Sequence, residues 1–376
     1  MTDPTYDVAV VGAGIIGASC AWECARSGLK VALLEAAVPG GGATAANMGQ
    51  LLVEDGPDPV FRLTQYSVRL WYALRPELPP EAEFDRVGSI WIASDEEELR
   101  ALERQRRSYE QRGVSATMLD REALPALEPN LRPGLAGGLL TPDDGIIYPP
   151  PACRFLTERA RALGADLFMG RPVVSIGSGR VRLAGDRSVT ARTIVNAAGT
   201  AAPSLSPGVP VRPRKGQLAV TDRYPGWIHH QLVEMGYIER AMSEATDSIS
   251  FNLQPRRSGQ LLIGSSRQLG NDDPAVDPVY LRSMLSRARE YAPGLAQLSV
   301  LRTWAGFRPA TPDHLPLIGP WPLQPGVYLA TGHDGLGITM ALGTGRLLAD
   351  QVVGRPSEIP VGPYLPSRLT KGAHGA

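Results

Sequence analysis

The chain has 376 residues, enough for about two domains and a substantial core. Its charges balance, 38 Lys+Arg against 38 Asp+Glu, which argues against a general nucleic-acid or anionic-membrane binder. Three cysteines without a CxxC pair argue against a disulfide framework or a zinc site, no stretch is long and apolar enough to span a bilayer, and Asp3 and Asp7 flank a strand where a signal peptide would be basic and then apolar, so the cytoplasm is the expected compartment.

Residues 6–35, YDVAVVGAGIIGASCAWECARSGLKVALLE, read as strand, glycine turn, helix, strand and acidic stop. Residues 8–11 are continuously apolar, the pattern of a parallel strand buried on both faces. Gly12, Gly14 and Gly17 then form GxGxxG. The first permits the sharp turn, the second lets a pyrophosphate approach the backbone, and the third lets helix and strand pack closely. The helix runs to about Ser27, Gly28 caps it, and its free N-terminal amides offer a site for phosphate oxygens. A second strand over 29–34 ends in Glu35, about 20 residues past the turn, where a carboxylate accepts hydrogen bonds from an adenosine ribose. The unit predicts dinucleotide binding and does not by itself separate FAD from NAD. Cys20 and Cys24, one helical turn apart, share a face with Ile16 and read as core against the sheet.

Residues 36–49, rich in glycine and alanine and nearly free of charge, suit a segment lying closely over a flat ligand. Residues 58–78 have helical periodicity, stopped by Pro79 and Pro80. A strand over 84–93, a charged amphipathic helix over 95–113 and a short helix over 120–127 carry no nucleotide signature and read as the start of an inserted domain. Residues 139–151 form a turn-rich crossing, with Asp143 and Asp144 as turn chemistry. A helix over 152–163, in which Cys153 reads as core, and short strands over 164–192 lead to TIVNAAG at 193–199, which returns the chain to the nucleotide-binding sheet. His229 and His230, in a strand-like stretch, read as structural. A strand over 211–220, alternating stretches over 237–266 with a hairpin turn at 256–259, and a helix over 278–291 predict an antiparallel sheet with flanking helices. The strand VYLAT and GHDGLGITMALGTGRLLADQVV follow, the latter a glycine-rich turn feeding a long apolar helix; the Pro-rich tail after Arg355 reads as an extended arm or frayed end.

In combination, GAGIIG with Glu35, ATAANMG, VNAAG, KGQ, GFRPATPD and GHDGLG resemble, over essentially the whole chain, the FAD-dependent amino-acid and amine oxidoreductases grouped with D-amino-acid oxidase, glycine oxidase and the sarcosine oxidases. Within that group the chain looks most similar to the flavin subunits of bacterial dehydrogenases for D-hydroxyproline, proline or opines, and to hydrogen cyanide synthase. The resemblance implies an α/β, two-domain fold. Residues 1–80, 140–212 and 300–376 would build a Rossmann-like FAD-binding domain, and 81–139 and 213–299 an inserted antiparallel-sheet substrate domain. It further implies FAD held by Gly12, Gly14, Ile15, Ile16 and Gly17 around the glycine turn, by Glu35 at the ribose, by Ala43, Thr44, Asn47 and Met48 along the flavin, by the Val174 backbone at the adenine, and by Ala198 and Gly199 from the VNAAG turn. Gly335, Leu336, Gly337 and Ile338 open the last helix, whose N-terminal amides suit the negative pyrimidine edge of a reduced flavin. Arg308, in GFRPATPD, matches the arginine that holds the substrate carboxylate in glycine oxidase, a role suited to a planar, permanently charged fork.

The departures from that group are informative. Asn252 stands where glycine oxidase has a tyrosine, so substrate contacts there differ, and an additional arginine of that enzyme falls at Gly335. The cysteine that attaches the flavin in monomeric sarcosine oxidase aligns near Gly306, which predicts noncovalent FAD. The lysine associated there with oxygen activation aligns near Leu262, and no lysine occurs between Lys215 and Lys371, which favours an acceptor other than oxygen. The expected function is oxidation of the C–N bond of a small amino or imino acid (a D-amino acid, hydroxyproline or proline, glycine or sarcosine) by hydride transfer from the α-carbon to flavin N5. The rival expectation is a flavin-bearing electron-transfer subunit of a hetero-oligomeric dehydrogenase, inactive without its partner chains.

Overall fold

The computed structural model describes residues 5–185, 187–236 and 247–370. Strand Thr5–Val11 pairs in parallel with Val31–Leu34 on one side and Ser188–Asn196 on the other. Its unbroken apolar run follows from two different covers. Val8 and Val10 pack into a cluster with the helices, while Ala9 and Val11 meet Ile176 and Val181 from an antiparallel pair of strands on the opposite face. Among the described residues the sheet runs, in spatial order, Leu317–Pro320, Val327–Thr331, Ser188–Asn196, Thr5–Val11, Val31–Leu34 and Asp166–Phe168. The chain therefore returns to this sheet from distant segments. The parallel strands bring Val11, Leu34, Asn196 and Thr331 to one edge, where open α/β sheets bind their ligands.

Helix Ile15–Arg26 starts from the glycine turn and stops at Gly28, which takes the left-handed conformation (φ +80°). The last helix, Gly337–Val353, lies against it so closely that a Cβ on Gly345 would stand 2.3 Å from Ser19 Oγ. That approach sets the Gly12–Gly17 and Gly332–Gly337 turns at the same edge of the sheet. Helix Asp58–Leu74 joins them, with Trp71 Nε1 donating to the Ile338 carbonyl at 3.0 Å. Among the described residues no helix is long and apolar enough to cross a membrane.

The second sheet runs Val300–Ala310, Arg212–Arg223, Gln260–Leu269, Ser248–Pro255, Gln231–Glu234, Ser89–Ala93, Gly137–Thr141 and Thr117–Leu119. It is antiparallel except where Gln231–Glu234 meets Ser89–Ala93 in parallel, the seam between its two sequence segments. Helix Pro278–Tyr291, bounded as expected and capped by Asp277, covers one face, where the rings of Phe251 and Tyr291 stack with centroids 4.6 Å apart. The other face meets the loop after Glu35, with Met48 packed against Leu218 and Leu262.

Several elements differ from the sequence reading. Strand Val300–Ala310 hydrogen-bonds to Arg212–Arg223 in the second sheet, although residues from 300 onward were expected with the nucleotide-binding segments; apolar periodicity carries no information on a strand's partner. The strand expected over 84–93 is only Ser89–Ala93, and the helix over 58–78 ends at Leu74, followed by a 3₁₀ turn. The tail is not an extended arm. Tyr364 is buried with its hydroxyl donating to the Pro59 carbonyl at 2.7 Å, and Arg368 pairs with Asp313, so the segment is held through residue 370; Lys371 lies outside the described residues, as does the start of the stretch expected from Tyr237.

Candidate active site

A cavity of about 360 Å³ opens at the carboxyl edge of the first sheet. Gly12 turns the chain there at φ +101°, and a Cβ on it would stand 2.6 Å from the Ala197 carbonyl oxygen. Gly14, Ile15 and Ile16 line the cavity, so the first turn of the helix faces it. Thr44 Oγ1 accepts from the Ile15 amide at 3.0 Å and fastens the short helix Ala43–Ala46 across this helix start. Glu35 also lines the cavity, its two carboxylate oxygens accepting from the amides of Ala13 (2.8 Å) and Ala37 (2.9 Å); each retains a further lone pair. Ala43, Thr44, Asn47, Ala198, Gly199, Gly337 and Ile338 complete the expected residues in this wall.

These features fit a long phosphate-bearing dinucleotide. The acid stands at one end, the helix start in the middle, and the N-terminus of the last helix at the other end. Gly17 lies behind this surface, where a Cβ would fall 1.8 Å from the Gly12 carbonyl oxygen, so its part is to let helix and turn meet. Val174, expected to meet the adenine through its backbone, turns its side chain to solvent, while its neighbour Val173 lines the cavity.

Two smaller spaces share walls with this cavity, one through Asn47 and Asp334 and the other through His333 and Asp334. One, of about 60 Å³, is lined by Met48, Leu218, Gly306, Arg308 and Gly335. Arg308 enters it from strand Val300–Ala310, paired in register with Arg214. Its guanidinium lies over Gly216, where a Cβ would be 2.3 Å from Nη1, and that Nη1 donates to the Ser266 carbonyl at 3.1 Å. The glycine of KGQ is thus the seat of the arginine. The other space, of about 100 Å³, is lined by Gln50, Glu54, Trp91, Asn252, Arg267 and Leu336 among others. Asn252 therefore faces a different space from Arg308, across the Asp334–Gly335 turn that borders both.

Asp334 is the residue sequence reading missed at the centre of this arrangement. It lines all three spaces, takes a left-handed conformation (φ +45°), and accepts from Arg214 Nη1 at 3.0 Å. Burial would raise its carboxyl, but the charges of Arg214, Arg267 and Arg308, with the His314 imidazole Nδ1 3.8 Å away, outweigh burial and hold it below the ordinary range. Within GHDGLG this residue was read only as part of a turn. Arg214 and Arg267 had a signal available: each is a charge inside an otherwise buried strand, which must face something polar. His333 is buried and neutral, its imidazole lowered to about 3 by burial, with Nε2 at 2.9 Å from Thr344 Oγ1. His229 and His230 are remote from these spaces: both backbone amides and His230 Nδ1 contact Glu128. The three cysteines are buried and free.

Fold and cavity together define a flavin-type dinucleotide oxidoreductase with its substrate side roofed by a second sheet. The chain belongs to the family of FAD dependent oxidoreductases, whose model matches residues 7–351; it is an FAD-dependent enzyme. It is similar to glycine oxidase of Bacillus licheniformis, at 30% identity over 93% of this chain and 94% of that protein. It is also similar to the hydrogen cyanide synthase subunit HcnC of Pseudomonas aeruginosa, at 27% identity over 97% of this chain and 96% of that protein. Among solved structures, glycine oxidase from Geobacillus kaustophilus superposes with a TM-score of 0.87 at 28% identity, covering 98% of this chain and 99% of that one.

Proposed function

We propose that the enzyme oxidises the C–N bond of a small amino or imino acid. The observation that carries this reading is Arg308, a guanidinium seated over Gly216 beside the Gly335 turn, where the long cavity reaches the second sheet. A planar fork of fixed charge binds a carboxylate bidentately. Holding the carboxylate there fixes the direction of the α-carbon, which is catalysis by positioning. Gly12, Gly14, Ile15, Ile16, Glu35, Ala43, Thr44, Asn47, Ala198 and Gly199 would hold the dinucleotide, with Met48, Gly335, Leu336, Gly337 and Ile338 at its ring end. When bound, the flavin supplies a hydride acceptor at N5. Loss of hydride from the α-carbon of a neutral amine would give an iminium ion, which would be hydrolysed by water or, when cyclic, lose a proton to water and remain as the imine. The chain's own residues supply no dedicated base in this scheme, and the substrate amine binds neutral. Gly306 supports noncovalent attachment, since a Cβ there would meet Ala46 Cβ at 2.3 Å.

We assign the cofactor domain to residues 1–80, about 142–211 and from about 311, with the remainder in the substrate domain; the third boundary follows the pairing of Val300–Ala310. Similarity to a synthase subunit supports a second arrangement, in which electrons leave to partner chains. The test is anaerobic bleaching of the flavin by D- and L-amino acids, proline derivatives, sarcosine and glycine. Arg308→Leu should raise KM on the order of 10²-fold or more and keep bound FAD, as expected for truncating one partner of a buried charge pair. Unchanged kinetics would remove Arg308 from the reading, and a flavin that no amine bleaches would favour the electron-transfer arrangement.

A further inference from the structure

An α-amine is mostly ammonium at neutral pH, so a hydride can leave its carbon only after a proton has been removed. The space of about 100 Å³ holds two carboxyls, Asp334 and Glu54, whose surroundings push them in opposite directions. Asp334 stays ionised: Arg214 Nη1 donates to its Oδ2 at 3.0 Å, and the charges of Arg267 and Arg308 act with it. The Asp334 Oδ1 is buried without a hydrogen-bond partner among the described residues. So is the Oδ1 of Asn252, a residue 1% exposed that lines the same space. Two buried acceptors without a donor call for an N–H from a ligand. Burial pushes Glu54 up to about 7 against the opposing charge of Arg267, with Asp144 and Asp55 adding to the rise and no hydrogen bond acting on it. Two titratable groups separated in this way divide holding and proton transfer between them. The space also shares Gln50, Asp334 and Gly335 with the one that Arg308 enters, so a ligand anchored at Arg308 has both within its reach.

Resting on the amino-acid reading above, we propose that this space receives the substrate amine, with Asp334 and Asn252 as its anchor and Glu54 as the base that removes its proton. The amine then enters charged and is neutralised in place, instead of binding neutral from solution. Its N–H groups donate to Asp334 Oδ1 and Asn252 Oδ1. One proton moves from the ammonium nitrogen to the Glu54 carboxylate, leaving a neutral amine beside a neutral carboxyl, an exchange of an ion pair for two neutral groups that burial favours. The nitrogen lone pair so freed becomes the second bond of C=N as the α-hydrogen leaves with its bonding electrons. Asp334 is unsuited to take that proton, because its guanidinium neighbours hold it ionised. The groups that face Glu54 across the space are Arg267, His314, His333 and Asp334; Asp144, Asp55 and Tyr109 act on it from outside.

The test uses the FAD-loaded full chain and two readouts. The first is calorimetric binding, in mildly alkaline buffer, of α-aminoisobutyrate, which has no α-hydrogen to lose, against isobutyrate, which lacks the amine. The amine should tighten binding at least about tenfold, and Asp334→Asn and Asn252→Leu should each remove most of that gain. The second is kcat/KM against pH for the amino acids that bleach the flavin. In the wild type it should level off above about 7, once Glu54 is ionised. In Glu54→Gln it should be lower by about tenfold or more near neutrality, and should keep rising by about tenfold per pH unit toward the pKa of the free amine. Glu54→Asp should restore part of the plateau. A Glu54→Gln profile that is unchanged, or lowered equally at every pH, overturns the base. Equal binding of the two acids, or a preference that survives both anchor variants, overturns the anchor. If amines bleach the flavin and both of these results come out flat, the oxidation reading stands and this inference falls. If no amine bleaches it while α-aminoisobutyrate is still preferred through Asp334 and Asn252, the anchor stands, and the oxidation reading and the base fall together. If Asp334→Asn does not fold, Asn252→Leu and the wild-type ratio decide.

Discussion

The two ends of the ligand channel are built from different materials. Around Gly12, Gly14 and Ala198 the wall is backbone and small side chains, and its shape is set by close approaches such as the contact between Gly17 and the Gly12 carbonyl. Around Arg308, Arg267 and Asp334 the wall is charged side chains delivered by strands of the second sheet and by one turn of the first. The backbone end accepts any partner of the right shape and phosphate charge. The side-chain end presents charges whose sign and placement depend on single side chains. On the proposed reading, cofactor recognition follows from local chain geometry and substrate selection from tertiary neighbours.

The sharpest way to break this contrast is at Gly17. A valine there places carbon 1.8 Å from the Gly12 oxygen, so the first helix must move off the strand. Overpacking of this kind costs typically about 1–3 kcal/mol, and here it also opens the turn that cradles the phosphates. Gly17→Val should purify without flavin absorbance and with a lowered Tm. Full flavin occupancy at wild-type Tm would show that the turn tolerates displacement and that the backbone end is less rigid than its geometry implies.

The same contrast explains what the sequence disclosed. That the glycine turn, Glu35 and the VNAAG turn would line one cavity is legible because each is a run of residues adjacent in the chain. The cap at Gly28, the hairpin at 256–259 and the helix Pro278–Tyr291 are legible for the same reason. The meeting of Asp334, Arg267 and Glu54 is not, because it arises only when strand Gln260–Leu269, the loop after Met48 and the GHDGLG turn converge on one space. Placing Val300–Ala310 likewise needed its partner strand. The docked tail needed knowledge of Pro59 and Asp313, which lie far away in sequence.

At the side-chain end, Asp334→Asn should leave the cofactor in place and act on stability. It leaves Arg214, 4% exposed, without the anion at 3.0 Å, and breaking a buried pair costs about 3–5 kcal/mol. Urea denaturation at neutral pH should show most of that loss while flavin remains bound. Because the folded-state carboxyl lies below its ordinary value, its stabilisation is present above the unfolded value near ~4 and is lost as pH falls through the folded one. The wild type should therefore lose stability on the acid side more steeply than Asp334→Asn. Parallel acid limbs would show that Asp334 is not held by its cations.

The smallest effect sharpens the comparison most, because it concerns a group that works against folding. The Glu54 carboxyl is raised to about 7 by burial, with Arg267 opposing and Asp144 and Asp55 adding to the rise. Its folded value lies above its unfolded one, so the native state holds a proton that the unfolded chain has released. Stability then falls as pH rises from about 4.5 to 7 and levels off above that, a loss on the order of 1–3 kcal/mol. Asp144, raised by burial to about 7 while accepting from Thr141 Oγ1 at 2.6 Å, adds a loss of the same sign. Glu54→Gln keeps the shape of the wall and removes one of the two titrations. The variant's Tm should decline less steeply than the wild type's between pH 5 and 7 (roughly the window of the Glu54 titration), with Asp144 leaving a residual slope. Above pH 7 the variant should be the more stable protein. Superimposed profiles would mean that Glu54 ionises as a solvated acid, and the substrate end would then be as tolerant of charge as an ordinary protein surface.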